Sequence, residues 1–309
     1  MSAPLKRDHF ETERPNPASA DLDRMNVADA FDVMNGEDAK VARAVAAAKD
    51  SIVRTVEIAA ERLARGGRLI YVGAGTSGRL AVVDASECPP TFQTDPEMVQ
   101  GVIAGGERAF TRAVEGAEDS REAGALEVRA RNIGANDVVM GIAAGGTTPF
   151  VHGAIAEAKL RGAATVFFAC VPRDQAPDDA DVSIRVVTGP EVIAGSTRLK
   201  AGTATKLVLN LVSTLTMVRL GKVFGNWMVD VNTRGNAKLW QRGISLVARL
   251  VAVDAGADAD RVRAETLLST ADGRVKIAVL MGRLGIDRTS AEKRLEAAHG
   301  FLRRALEAP

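Results

Sequence analysis

Five short apolar runs constrain this chain more than any other feature: Arg68–Val72, Val99–Ala104, Val138–Ile142, Thr165–Ala169 and Ser183–Val187. These short runs suit buried strands. Helical stretches separate most of them, and strand–helix alternation implies a parallel sheet covered by helices on both sides. The predicted class is α/β with three layers. From Asp38 to about Arg65, residues Val41, Val45, Ala48, Ile52, Val56, Ile58 and Leu63 recur at helical spacing, and Gly66-Gly67 ends that stretch. A second long helix is predicted after Gly195-Ser196, reaching about Leu220. Beyond Lys222 the strand-like runs disappear and the remainder reads as helices. Gly285 is placed to end one of them, and Thr289-x-x-Glu292 is a capping-box sequence opening the last. Residues 1–25 are polar, contain Pro15 and Pro17, and read as an arm. The expected organisation is an N-terminal arm with helices over 1–55, the sheet domain over 56–225 and a small helical domain over 240–309.

Composition narrows the function classes. Lys+Arg 40 against Asp+Glu 39 leaves a net charge of +1, without the basic surplus that nucleic acid or an anionic membrane surface would select. No stretch of 18 uncharged apolar residues occurs, and the N-terminus has no apolar signal-peptide core. Cys88 and Cys170 cannot form a disulfide framework, so a reducing cytoplasm is the expected setting. His9, His152 and His299 are too scattered for a zinc site. Metal-independent chemistry without a cofactor, or plain binding, is what remains.

Three turns rich in glycine and hydroxyls follow strand candidates or open helices. Gly73-Ala-Gly75-Thr76-Ser77-Gly78 fits the dinucleotide fingerprint. Its hydroxyls at a helix start suit a single phosphate monoester equally well. Glu97 lies near the spacing of a ribose-binding acid but precedes its strand candidate instead of ending it. The second turn is Gly145-Gly146-Thr147-Thr148-Pro149, and the third is Gly195-Ser196-Thr197-Arg198-Leu199-Lys200. Three anion-friendly turns in one parallel-sheet domain favour a small phosphorylated molecule over a dinucleotide. Ordinary N-capping is the alternative for each turn taken singly.

Two glutamates stand apart. Glu87, in Asp84-Ala-Ser86-Glu87-Cys88-Pro89-Pro90, is predicted to end the first loop's helix, because consecutive prolines stop it there. Its apolar flank suits a carboxyl that stays protonated. Glu118 is predicted to start a helix reaching about Arg131, where the macrodipole favours a carboxylate. Cys88 has no histidine placed to activate it.

The segments Gly73–Arg79, Asp84–Thr91, Ala113–Arg121, Gly195–Thr203 and Lys222–Asp230 resemble the N-acetylmuramic acid 6-phosphate etherase family, and the similarity runs from about Thr12 to the final helix. The resemblance implies a sugar isomerase (SIS) domain followed by a small helical, UBA-like domain, in a homodimer. It implies cleavage of a D-lactyl ether in cell-wall recycling, giving N-acetylglucosamine 6-phosphate and D-lactate. Its catalytic pair falls on Glu87, the family's proton donor, and Glu118. Phosphate and sugar contacts are expected from Gly75, Thr76, Ser77, Ser86, Gly146, Thr147, Thr148, Ser196, Thr197 and Lys200. The chain departs from the family pattern in the second turn, where Gly145 replaces a serine and Thr147 an arginine.

Ether cleavage on this inventory suits elimination: a carboxylate removes the C2 proton of the ring-opened sugar, an acid protonates the leaving lactyl oxygen, and water then adds. Ser77 and Glu87 are ten residues apart, a rise of about 15 Å on one helix, which points to a site completed by a second subunit. Two rivals share the sugar-phosphate site: a non-catalytic SIS-type sensor, which need not keep both glutamates, and an aldose–ketose isomerase, which ejects no lactate. His299 and Arg303 read as ordinary helix surface, with a reach into a neighbouring site as the alternative.

Overall fold

Strands β1 (Leu69–Gly73), β3 (Val138–Ile142) and β4 (Ala164–Ala169) are buried along their whole length, as runs without polar alternation require. The computed structural model describes residues 10–251 and 257–308. His9 and the first nine residues of the expected arm lie outside the described residues. Two compact units emerge: residues up to Ser86 together with Glu97–Ser213, and Glu87–Pro96 together with residues from Thr214 onward.

In chain order the first part contains α1 (Val27–Asp38), α2 (Val41–Ala47), α3 (Lys49–Ala64), β1, α4 (Gly75–Phe92), β2 (Val99–Ile103), α5 (Arg108–Thr111), α6 (Arg121–Ala130), β3, α7 (Pro149–Leu160), β4, β5 (Val182–Arg185) and α8 (Lys200–Arg219). The five strands form one parallel sheet in the order β2-β1-β3-β4-β5, with Leu69 opposite both Val99 and Val138. The edge strands β2 and β5 are only partly buried. Ile70, Val72, Val139 and Phe167 join Val151 and Ala154 of α7 in the core. Helices α6 and α7 meet backbone to backbone: a Cβ on Gly124 would fall 1.9 Å from the Phe150 carbonyl oxygen, and one on Gly153 1.9 Å from that of Arg121. This contact fixes the turn that precedes α6.

Several expectations are corrected. The long N-terminal helix is two helices broken at Ala48, whose ψ of 14° leaves the helical region. Pro89 and Pro90 do not stop α4, which runs on to Phe92. The prolines sit in the last turn, where their fixed φ suits a helix although they donate nothing to the carbonyls one turn earlier, and Gln93 N still donates to the Pro89 oxygen at 2.9 Å. The arm is no loose segment over its described part. Phe10 is buried, Asn16 donates to the Pro190 carbonyl at 3.0 Å, and Ser19 donates to that of Val192 at 2.7 Å.

The C-terminal part holds a hairpin, β6 (Val223–Phe224) with β7 (Trp227–Met228), then α9 (Ala237–Val251), α10 (Ala257–Thr270), α11 (Val275–Leu284), α12 (Arg288–Ala297) and α13 (Leu302–Glu307). The hairpin corrects the expectation of helices alone after Lys222. Gly285 does end α11, at φ 66°. The capping box is not formed: Asp287 caps α12 by accepting from Ser290 N at 2.7 Å, while Glu292 pairs with Arg288. His299 occupies a left-handed turn (φ 53°) rather than a helix surface. Among the described residues α8 alone is long and apolar enough to cross a membrane by length and composition, and 56% of that stretch is buried inside the fold.

Candidate active site

The strand order reverses direction between β1 and β3, and ligands of such sheets bind outside the carboxyl ends of the strands at that point. A cavity of about 210 Å³ opens there. Ala74, Gly75, Thr76 and Ser77 line it after β1, Ile142–Gly145 with Thr147 and Thr148 after β3, and Gly195, Thr197 and Gly202 around the start of α8. Gly75 turns the chain at φ +52°, and a Cβ on Gly78 would sit 2.6 Å from Ile103 Cγ1, so the fingerprint glycines serve the turn and the close packing of α4 on the sheet.

Thr76, Ser77, Thr147, Thr148 and Thr197 bring five half-buried hydroxyls to this wall, and none is hydrogen-bonded within the described protein. Thr148 stands at the N-cap position of α7, yet its side chain makes no cap hydrogen bond. Capping therefore does not account for it. Unspent hydroxyls beside the first turn of α4 form a neutral, donor-rich cradle suited to phosphate oxygens.

The third turn is built differently. Glu191 is fully buried, and its carboxylate accepts from the backbone N–H groups of Lys200 (3.0 Å) and Ala201 (2.9 Å). Burial raises its pKa against those bonds. The Lys200 side chain turns inward to Glu37, Nζ to Oε2 2.5 Å, and does not line the cavity. A buried cation needs that counter-charge, which is why Lys200 is not the expected phosphate contact. Burial alone would push the Glu37 carboxyl up, but hydrogen bonds from Lys200, Lys40 and Asn16 outweigh it and hold it down at about 2.

Three more expected residues stay out of the lining. Ser86 is exposed and donates to the Val83 carbonyl at 2.9 Å. Gly146 is a buried turn residue whose N–H is spent on the Ala143 oxygen and whose carbonyl meets His152 Nε2 at 2.8 Å. Ser196 N donates to Ile193, and its side chain lies outside the wall.

Glu118 lines the cavity, exposed, in a single 3-10 turn (Ala117–Asp119). It precedes α6 instead of starting it, because Ser120 takes the N-cap and accepts from Ala123 N at 3.1 Å. Glu87 is exposed on α4 beside buried Cys88 and does not line the cavity. A second acid, Glu13 of the arm, does line it, and its carboxylate lies 2.8 Å from where a Cβ on Gly195 would stand. No spacing or motif reaches from residue 13 to these loops, so sequence reasoning missed it. At the far end of β2 the chain continues as Ala104-Gly105-Gly106, and Glu97 sits before the strand with Gln100 as its partner. The acid that a dinucleotide ribose needs is missing from that position.

Residues 51–159 match the glucokinase regulatory protein N-terminal SIS domain family. The N-acetylmuramic acid 6-phosphate etherase of Gloeobacter violaceus is 54% identical over 98% of this chain and 96% of its own length. The etherase of Crocosphaera subtropica is 48% identical over 98% and 97%, and that of Picosynechococcus sp. 49% identical over 99% and 100%. Similarity of about half the residues over 98–99% of the chain shows the family, and the chain belongs to the N-acetylmuramic acid 6-phosphate etherase family.

Proposed function

We propose that this enzyme, a carbon–oxygen lyase, acts on N-acetylmuramic acid 6-phosphate and releases D-lactate and N-acetylglucosamine 6-phosphate, in the recycling of cell-wall muramic acid. One observation carries the reading: Glu118 stands on the wall of a cavity whose other polar side chains are five unspent hydroxyls and the carboxylate of Glu13. The hydroxyls hold the 6-phosphate and leave the carboxylate facing the sugar. In the open-chain sugar the C1 aldehyde acidifies the proton on C2. Glu118 takes that proton, the C3–O bond breaks, and a carboxylic acid, Glu87, gives its proton to the departing lactyl oxygen. Water then adds at C3 of the unsaturated aldehyde, and the C2 proton is returned. General acid–base groups of this kind contribute about 10²–10⁴-fold each.

Glu87 belongs to this scheme as a residue contributed within a homodimer. The dimer is supported by α1, which leaves Val27, Phe31 and Met34 exposed at i, i+4 and i+7 on one face. Cys88 and Cys170, buried and not joined in a disulfide, suit a reducing cytoplasm. The deciding experiment incubates the protein with N-acetylmuramic acid 6-phosphate and assays D-lactate. One lactate per sugar consumed is the expected result, and ketose formation without lactate would replace the etherase reading by an isomerase. Mixing Ser77→Ala with Glu87→Gln subunits tests the shared site: mixed dimers no more active than their parents would remove it.

A further inference from the structure

Beyond Glu118 the cavity has a neighbour. A second hollow of about 310 Å³ shares Ala74, Gly75 and Glu118 with it. The two differ in character. The first is walled by hydroxyls with Glu13 and holds no cation, whereas the second has small apolar walls, Ala113 and Val114 among them, with Glu115 at its rim and one cation, Arg79. Arg79 is half-buried on the first turns of α4. Its Nε donates to the Phe110 carbonyl at 3.0 Å and its Nη2 to that of Arg112 at 3.3 Å. Its Nη1 has no partner among the described residues, and no described carboxylate pairs with it. Two carbonyls thus aim a guanidinium into a largely apolar hollow, where neither Glu115 nor Glu118 of the same lining forms an ion pair with it. That combination suits a carboxylate carried by a small alkyl group.

We propose that this hollow is the subsite for the lactyl substituent, with Arg79 holding its carboxylate and the alanine-lined wall taking its methyl group. The inference rests on the etherase reading of the adjoining cavity. It puts Glu118, common to both hollows, beside the carbons that join the phosphate-bearing sugar to its ether. Arg79 then sets specificity: a sugar phosphate that lacks the lactyl group makes no use of it.

The test compares lactate release with inhibition by the product, N-acetylglucosamine 6-phosphate, which fills the first cavity alone. For Arg79→Gln, kcat/KM is expected to fall about tenfold to a hundredfold, the loss typical of a charge-assisted pair, while the product's inhibition constant stays within about twofold. Ala113→Leu, which fills the hollow and leaves Arg79 on its two carbonyls, is expected to show the same split. It decides the matter if loss of those anchors unfolds Arg79→Gln. Parallel weakening of substrate and product in both variants, or no effect on the substrate in either, overturns the subsite. Wild-type protein that released no D-lactate would instead overturn the etherase reading, and the subsite with it.

Discussion

The N-termini of α4 and α8 begin from similar sequences, glycine followed by hydroxyl residues, and end in opposite states. At α4 the hydroxyls of Thr76 and Ser77 face an open cavity. At α8 the first amides are already occupied by the Glu191 carboxylate, and the adjacent Lys200 is drawn into a buried pair with Glu37. A helix N-terminus is an anion site only if the protein leaves it unfilled. The difference lies in one buried acid nine residues upstream, which turns a potential ligand site into a structural joint.

The comparison has sharp consequences. Glu118→Gln, at the open end, should lower kcat by about 10²–10⁴-fold while titration with N-acetylglucosamine 6-phosphate still shows binding. Normal turnover would take this residue out of the reaction. Lys200→Met, at the closed end, should cost about 3 kcal/mol in denaturant unfolding, because it strands a buried carboxylate, with Lys40 limiting the loss. Its KM should not move. A raised KM with an unchanged unfolding midpoint would make α8 a ligand site after all. Ser77→Ala should raise KM by about tenfold, the cost of one hydrogen bond to a charged group, while Ser196→Ala should leave it within about twofold.

Acid should loosen the closed end. The Glu37 carboxyl is lowered from 4.5 to about 2 in the folded protein. Its contribution to stability is therefore complete above 4.5 and is lost as pH falls from there toward 2. Thermal unfolding followed between about pH 6 and pH 3 should show a shallower acid limb for Glu37→Gln than for the parent. Asp137 and Asp178, also held low against burial by Arg68 and by Ser183 with Arg185, would preserve part of the slope. The smallest effect concerns the second turn. Thr12 Oγ1 is buried without a partner, 4.0 Å from where a Cβ on Gly145 would stand, with nothing else in reach. Gly145→Ser should give it one and raise stability by about 0.5–1 kcal/mol.

Where the local signal was undiluted, the fold was legible. The strands fall within a residue or two of the apolar runs, and for β1, β3 and β4 the reason is that a strand buried on both faces has no polar position to blur its ends. Gly285 was legible as a helix stop for a similar reason, since few residues tolerate its left-handed backbone. Thr289 was not legible as a mere passenger of α12, because Asp287 and Thr289 are both good caps and only geometry chooses between them. Thr76, Ser77, Thr147, Thr148, Thr197 and Glu118 could be named from their loops, and they do come together. Glu13 could not, because its place depends on Phe10 and Asn16 anchoring an arm whose contacts lie more than 160 residues away in the chain.

Residue order alone determined the parallel α/β class, the glycine turns after β1 and β3, and the supply of hydroxyls and acids for sugar-phosphate chemistry. These are local properties, set by side-chain type and by spacing along one element. Which hydroxyls stay free, which helix end is plugged, and which lysine is turned inward were decided only by the tertiary structure. Each depends on whether a partner of opposite charge or a matching hydrogen-bonding group arrives from a distant segment, and a buried polar group takes whichever partner packing delivers.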